Sequence, residues 1–498
     1  MGINIVLDDV REGRKSSSVA AGRIYITDLK HRAFFCSMEW GDNQLNLDPS
    51  IEKPVAVHVR FDIESFGICW ITMDNCGMGY VSSEKKYSLM EELVYSRISQ
   101  IKRRIPHGVI GEISTSMIEE AENEFSHGNK HRALCLVTVA GEDIEFQLAK
   151  RILDNSQYRS KASFSGTFFG ERSGDYAIGV GKDWEGTPPN FLRPHERWNT
   201  IAEVIDTTTL PTFWRWIEPE RGKFNFTSLD QIVAFCRERS ITMKSFALYW
   251  GGIGGTPKWF RYLDLKHQLL AIKEWMKVII HRYGEYIQVY EVVNEMHDWL
   301  YANPAKYGHK ELLEITASIS QWTKEMAPGK TRIINNCMPW GEYCQKYQGY
   351  HWVPLTYMEE VIRQGIEFEG IGIQYYCPGR DMMELGAHID RFAGFGKPLY
   401  ITEMGTPSAA GDMKEVETGQ VNLMNGWRGT WNEEHQAEWI EMLYTIAMSK
   451  DAIRALNYWD IDDNQSFIKY AGILDMDGNP KPSFERIRKL RKMYLDTK

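Results

Sequence analysis

The sequence predicts an α/β protein: a closed (β/α)8 TIM barrel preceded by a smaller, β-rich domain. Three observations lead there. From about residue 175 onward, short apolar runs alternate with amphipathic helical patterns, and regular strand–helix alternation builds a parallel sheet. The alternating stretch is roughly 320 residues long, enough for eight βα units with insertions. No GxGxxG follows its first strand, so the rival doubly wound sheet lacks its usual phosphate-binding marker.

In chain order, the first 160 residues read as a module of their own. Val55 to Phe61, Gly67 to Met73 and Ala133 to Val139 are short, rich in β-branched or aromatic residues and bounded by Gly, Asp or Asn, which predicts strands. Leu89 to Lys102 and Ile113 to Phe125 have helical spacing with charged faces. The module carries no catalytic motif; a β-sandwich that binds carbohydrate and an appendage that buttresses the barrel both fit. Asn155 to Gly174, rich in Ser, Gly, Arg and Lys, reads as the linker, giving domains at 1–160 and 170–498. In the second domain the expected buried strands are Tyr176 to Gly179, Thr242 to Tyr249, Val289 to Asn294, Arg332 to Asn335, Gly370 to Gln374, Pro398 to Glu403 and Ala455 to Trp459. The expected helices are Ser228 to Arg239, His267 to Tyr283, His309 to Ala327, Leu355 to Gln364 and Glu434 to Ser449.

Composition narrows the function. Hydrophobic residues make up 43% of the chain and charged residues 25%, the balance of a well-packed globular protein. A net charge of −9 argues against a nucleic-acid partner, which would need clustered Lys and Arg. No apolar run approaches the length of a membrane span. The opening MGINIVLDDVREGRK lacks the basic and apolar regions of a signal peptide. The expected location is therefore the cytoplasm, with a secreted enzyme whose leader has been removed as the alternative. Eight scattered cysteines without CxxC pairs fit buried free thiols better than a zinc site or a disulfide framework. The 13 His are dispersed and no HExxH occurs, so neither a metal nor another cofactor is expected. Seventeen Trp and 24 Tyr, concentrated after residue 180, suit a cleft that stacks sugar rings on flat side chains, although a large core would also use them. Oligomeric state is not readable from the sequence.

Two carboxylates stand where a barrel enzyme keeps its chemistry, at the C-terminal ends of strands. Glu295 ends Val289-Tyr290-Glu291-Val292-Val293-Asn294-Glu295, and Glu403 ends Leu399-Tyr400-Ile401-Thr402-Glu403. Such a pair suits cleavage of a glycosidic bond: one acid protonates the departing oxygen while the other carboxylate attacks the anomeric carbon or activates water. Carboxyl groups about 5–5.5 Å apart give retention and about 6.5–9.5 Å give inversion, a distance that the sequence leaves open.

Over residues 175 to 490 the chain resembles the family 10 glycoside hydrolases, the family of endo-β-1,4-xylanases. Trp214, then Ile217-Glu218-Pro219-Glu220-Arg221-Gly222 with Phe224 and Phe226, resembles the segment after the second strand. Leu248-Tyr249-Trp250 and Thr256-Pro257-Lys258-Trp259-Phe260 resemble the third-strand motif and the helix after it. Val292-Val293-Asn294-Glu295 resembles the acid/base signature, Gly370-Ile371-Gly372-Ile373-Gln374 the sixth strand and Ile401-Thr402-Glu403 the nucleophile signature. Asn457-Tyr458-Trp459, Gly472-Ile473-Leu474-Asp475 and Pro480-Lys481-Pro482 resemble the last strand and closing loop. The motifs occur in family order.

The resemblance implies a retaining, double-displacement hydrolase of β-1,4-xylosidic bonds in xylan or xylo-oligosaccharides, with Glu295 as general acid/base and Glu403 as nucleophile. It further implies that Asn294 contacts the sugar 2-hydroxyl, that Gln374 orients Glu403, and that Trp250 and Trp459 wall the same subsite. Trp214 is what survives of a second-strand sugar-binding motif, and Tyr376 stands where the family has a histidine against the nucleophile. The expected partner is a polysaccharide or oligosaccharide. Several family positions are changed: Thr209-Leu210-Pro211-Thr212-Phe213 replaces a polar run, Phe246 and Gly251 replace histidines, Cys337 a tyrosine and Phe467 a tryptophan. At least four hydrogen-bonding side chains are thereby lost from the sugar-binding floor, each worth about 0.5–1.5 kcal/mol. Arg215, Trp216, Tyr375, Trp340, Asp460 and Asn464 are candidate replacements. Two alternatives to a xylanase stay open: a retaining β-glycosidase on another decorated glycan or glycoside, and a non-catalytic carbohydrate-binding barrel.

Overall fold

A computed structural model of the chain describes residues 2–9, 24–49, 52–105, 112–169, 194–297, 301–345, 352–376, 379–410, 426–464, 466 and 468–496. The N-terminal module has strands β1 (Ile3–Val6), β2 (Ile24–Asp28), β3 (Ala33–Phe34), β4 (Cys36–Trp40), β5 (Gln44–Pro49), β6 (Val55–Ile63), β7 (Gly67–Met73) and β8 (Lys86–Ser88). They form two four-stranded sheets, ordered β4-β5-β1-β8 and β3-β2-β6-β7. Helices α1 (Leu89–Arg104), α2 (Glu112–Ser126) and α3 (Lys130–Asp154) follow.

Ala133 to Val139, expected as a strand, lies inside α3. This stretch is apolar on all sides, and α3 is a buried helix wedged between its own module and the barrel helices. A helix buried all round loses the polar face that would reveal its period, and packing overrides β-propensity.

The barrel strands are β9 (Ser163–Thr167), β10 (Thr207–Leu210), β11 (Thr242–Ser245) with its continuation β12 (Tyr249–Trp250), β13 (Ile287–Asn294), β14 (Thr331–Asn336), β15 (Gly370–Tyr376), β16 (Leu399–Gly405) and β17 (Ile453–Tyr458). All pair in parallel, and β17 returns to β9, which closes an eight-stranded barrel. Around it run α4 (Pro194–Ala202), α5 (Trp214–Ile217), α6 (Thr227–Glu238), α7 (Leu265–Tyr283), α8 (His309–Met326), α9 (Pro354–Arg363), α10 (Met382–Ala393), α11 (Glu433–Met448) and α12 (Pro482–Tyr494). Helix starts follow side-chain capping rules: Asp264, Asp381 and Asn432 accept from backbone N–H groups of the first turns of α7, α10 and α11.

The first barrel strand falls within the stretch read as a linker, and Tyr176 to Gly179, read as that strand, lies outside the described residues. The strand Ser163-Phe164-Ser165-Gly166-Thr167 is small and polar because it faces a crowded interior. A side chain at Gly166 would meet Ile461 at 3.2 Å, while Ser165 Oγ donates to Asn457 Oδ1 at 2.7 Å. Of the seven described cysteines, all free thiols, six are buried as expected and Cys76 is exposed; Cys377 and Phe467 lie outside the described residues. Among the described residues no helix is long and apolar enough to cross a membrane.

Candidate active site

The strand ends bring the expected carboxylates together. In the β15–β16 ladder a register irregularity between Ile373 and Gln374 sets Gln374 directly beside Glu403, the kind of local slip that re-aims a side chain. Asn294 pairs with Asn335 across β13 and β14. Glu295, the next residue, leaves the strand with φ of 62°. That left-handed conformation is strained for a non-glycine residue, and the Glu295 N–H is held there by donating to the Asn335 carbonyl at 3.0 Å.

One amide nitrogen measures the gap between the acids. Gln374 Nε2 donates to Glu295 Oε1 at 3.0 Å and to Glu403 Oε1 at 2.9 Å. These two oxygens are therefore separated by no more than the sum of the two distances, about 5.9 Å, which lies on the retaining side of the divide. Trp250 Nε1 donates to Glu295 Oε2 at 2.9 Å and Asn294 Nδ2 to Glu295 Oε1 at 3.3 Å. Glu403 receives Tyr376 Oη–H on Oε2 at 2.8 Å and Asn335 Nδ2 on Oε1 at 3.0 Å.

Below this layer lies a third acid. Glu291 on β13 is wholly buried, pairs with Lys244 Nζ on β11 at 2.7 Å, and accepts from Asn335 Nδ2 at 3.1 Å. Asn335 thus spans Glu291, Glu403 and, at 3.0 Å, Asn294 Oδ1, while Thr402 Oγ1 donates to Asn335 Oδ1 at 2.5 Å.

Electrostatics separate these acids from ordinary ones. Glu295 is 2% exposed. Burial pushes its carboxyl up to about 7; the Gln374 and Trp250 donors pull against this, and the charge of Glu291 adds to it. Burial, with the charges of Glu291 and Glu295, also holds Glu403 well above the usual carboxylate range. Close buried carboxylates cannot all ionise readily, so at least one retains a proton near neutrality.

The surroundings are aromatic. Phe213 and Phe246 stack with centroids 4.2 Å apart, and Trp216 lies 4.0 Å from Phe213. Trp250 meets Phe246 edge-on at 6.0 Å, and Trp459 lies tilted against Phe246 at 5.7 Å and edge-on to Phe213 at 6.5 Å. Beneath it, Thr209 and Ser165 donate to Asn457, and Asn457 donates to Thr167, so these strand-end polar groups satisfy one another. Backbone fills one further changed position: a Cβ on Gly251 would stand 2.3 Å from the Ala302 carbonyl oxygen.

Of the expected site residues, Asn294, Glu295, Trp250, Gln374, Tyr376 and Glu403 form one hydrogen-bonded group, with Trp459 in the adjoining aromatic cluster. Trp214 is placed elsewhere. It stacks on Trp275 of α7 at 5.5 Å and donates from Nε1 to Glu218 at 2.6 Å, bracing the chain between β10 and α6. Among the candidate replacements, Arg215 donates to the Ile253 carbonyl at 3.0 Å and Trp340 to Glu384 at 2.9 Å, while Tyr375 bonds His388. Sequence reasoning missed Asn335, Glu291 and Lys244. Their signal is a charged or amide side chain inside an otherwise apolar parallel strand, where burial without a partner is costly.

Comparison with known proteins identifies the family. The family model described as glycosyl hydrolase family 10 matches residues 207–490. Endo-1,4-beta-xylanase B of Thermotoga neapolitana is 25% identical over 302 residues, covering 57% of this chain and 79% of that protein. An endo-1,4-beta-xylanase/feruloyl esterase of Xylanibacter ruminicola is 22% identical, with 59% of this chain and 42% of that protein covered. Among solved structures, native xylanase 10B from Thermotoga maritima superposes with a TM-score of 0.49 at 18% identity, covering 71% of this chain and 99% of that one. With more than half its length matched by the family model, the chain belongs to glycosyl hydrolase family 10, a family of retaining glycoside hydrolases.

Proposed function

We propose that this protein hydrolyses β-1,4-xylosidic bonds in xylan or xylo-oligosaccharides with retention, using Glu403 as nucleophile and Glu295 as general acid/base. The observation that carries this reading is the single Gln374 amide nitrogen in hydrogen-bond contact with both carboxylates. Protonated Glu295 gives its proton to the departing glycosidic oxygen as a Glu403 oxygen bonds to the anomeric carbon, forming a glycosyl ester. Glu295, now charged, takes a proton from water; the water oxygen bonds to the same carbon and the ester bond to Glu403 breaks. Gln374, Asn335 and Tyr376 hold Glu403 in line. Asn294 meets the sugar 2-hydroxyl, and Trp250 and Trp459 face the ring.

The test uses Glu295→Gln and Glu403→Gln with aryl β-xylosides of good and poor leaving groups. Loss of the acid should slow poor leaving groups far more than good ones, whereas loss of the nucleophile should abolish both. Equal losses for both substrates in Glu295→Gln would remove that residue from the acid role. Product analysis on xylan, arabinoxylan, glucuronoxylan and mixed-linkage glucan identifies the polymer.

A second reading, that the natural glycan is a decorated one, has its own observation. Phe213 and Phe246 present phenyl rings where the family presents polar side chains. An apolar wall gains from burying methyl or acyl groups and offers nothing to bare hydroxyls.

A further inference from the structure

Four consecutive residues just beyond β15 are each gripped by the N-terminal module. The Gly379 carbonyl accepts the backbone N–H of Trp70 at 2.8 Å. The guanidinium of Arg380 lies 5.0 Å from the Trp70 ring and 5.9 Å from that of Tyr25, with Trp340 of the barrel 4.7 Å away. Asp381 pairs with Arg97 of α1 at 2.6 Å, and both side chains are almost wholly buried. The Met382 N–H donates to Glu142 Oε1 of α3 at 3.0 Å. Glu142 reaches further: Oε1 accepts Trp427 Nε1 at 2.9 Å and Oε2 accepts Arg428 Nε at 2.6 Å.

Small residues let the two parts close. A Cβ on Gly67 would stand 2.5 Å from the Gly426 carbonyl oxygen across the two parts, and within the module one on Gly141 would crowd Arg97 Nη2 at 2.7 Å, where Arg97 reaches out to Asp381. Burying an ion pair costs desolvation that the pair itself barely offsets. A module serving only as ballast could have used apolar side chains here; buried, directional contacts fix geometry instead.

Only residues 377 and 378 separate Gly379 from Tyr376, whose strand also carries Gln374. We propose that the N-terminal module is a positioning part of the active site: through Trp70, Tyr25, Arg97 and Glu142 it fixes where β15 ends, and so seats Tyr376 and Gln374 against Glu403 and Glu295. The inference rests on the roles proposed for those two glutamates.

The test is made in the full chain with Arg97→Gln and Glu142→Gln, beside Glu145→Gln as control. Glu145 lies one turn further along the helix of Glu142, against Gly386 of α10, and pairs with Arg104 and Lys450 but makes no hydrogen bond to residues 379–382. On an aryl β-xyloside, the first two variants should lower kcat about 10-fold with KM changed less than about twofold. Amide exchange across residues 370–382 should quicken in both. Glu145→Gln should lower the melting temperature and leave kcat unchanged, and Arg97→Lys, which keeps a cation near Asp381, should recover most of the lost rate. Should Arg97→Gln fail to fold, Glu142→Gln carries the test, because the amide keeps the shape of the side chain while the lost charge weakens its hold on the Met382 N–H and on Arg428. Unchanged kcat and exchange in Glu142→Gln, or an equal loss of kcat in Glu145→Gln, would overturn the proposal. If the wild type cleaves no β-glycoside, the catalytic roles fail on their own, while the exchange measurement still decides whether the module holds the end of β15.

Discussion

Tyr376 donates its hydroxyl hydrogen to Glu403 Oε2 across 2.8 Å, from one barrel strand to the next. Burial, together with the charge of Glu403, pushes the phenol far above its ordinary range, so it stays a donor at every working pH. Tyr376→Phe removes the donor and favours the protonated, non-nucleophilic carboxyl. We expect kcat to fall about 10- to 100-fold with little change in KM, as when a donor to a developing or reacting charge is removed. Tyr376→His, which restores a donor, should recover part of the rate. Steady-state kinetics on an aryl β-xyloside checks this; a wild-type kcat in the phenylalanine variant would mean the hydroxyl is dispensable.

The position of Glu295 predicts a pH limb and a stability change of linked sign. Its carboxyl rises from 4.5 to about 7 on burial, so the proton needed for the leaving group is lost as pH climbs through about 7, and kcat/KM should fall there. For the same reason the folded state binds more protons than the unfolded state between these values. The stabilisation is therefore complete below pH 4.5 and is lost as pH rises to about 7. A shift of that size corresponds to about 3 kcal/mol at alkaline pH. Glu295→Gln should remove the limb and raise unfolding free energy at pH 8 but not at pH 4, read by denaturant melts at both. A variant no more stable than wild type at pH 8 would contradict the buried, neutral acid.

The barrel was legible because parallel strands buried on both faces read as apolar runs, and the acids were legible because each closes such a run. Ser163–Thr167 was not, since a strand of small polar residues satisfied inside a barrel has no hydrophobic signature. Helix α3 was misread in part for the opposite reason, its stretch Ala133 to Val139 being almost wholly apolar and buried. The Glu291–Lys244–Asn335 layer is scattered over three strands and becomes a unit only in the closed sheet. The left-handed backbone at Glu295 leaves no mark in the sequence.

That hidden layer gives a third prediction. Lys244 is the cation hydrogen-bonded to fully buried Glu291. Lys244→Met strands the carboxylate, and breaking one side of a buried pair costs about 3–5 kcal/mol. Glu291 would then keep its proton to higher pH, so the loss should shrink as pH falls toward 5. Thermal melts of the single variant and of Lys244→Met with Glu291→Leu, at pH 5 and pH 8, read the effect. The double variant should regain much of the stability, whereas an equal loss at both pH values would place the cost elsewhere.

The stacked pair Phe213 and Phe246 decides whether the sugar floor is merely degraded or has been rebuilt for another ligand. A degraded floor would be improved by returning polar groups. In a rebuilt one, the rings support each other, worth about 0.5–1.5 kcal/mol beyond area burial, and a single polar replacement would sit unsatisfied among aromatics. We expect Phe246→His to lower the melting temperature without improving KM for unsubstituted xylo-oligosaccharides. O-acetylated or O-methylated xylo-oligosaccharides should outperform plain ones in kcat/KM by about threefold or more, since one buried methyl is worth about 0.8 kcal/mol. Phe213→Lys combined with Phe246→His should shift that ratio back toward the plain sugar. If the wild type already prefers unsubstituted chains and the double variant only loses activity, the rings serve packing, and recognition must come from Trp250, Trp459 and the backbone around them.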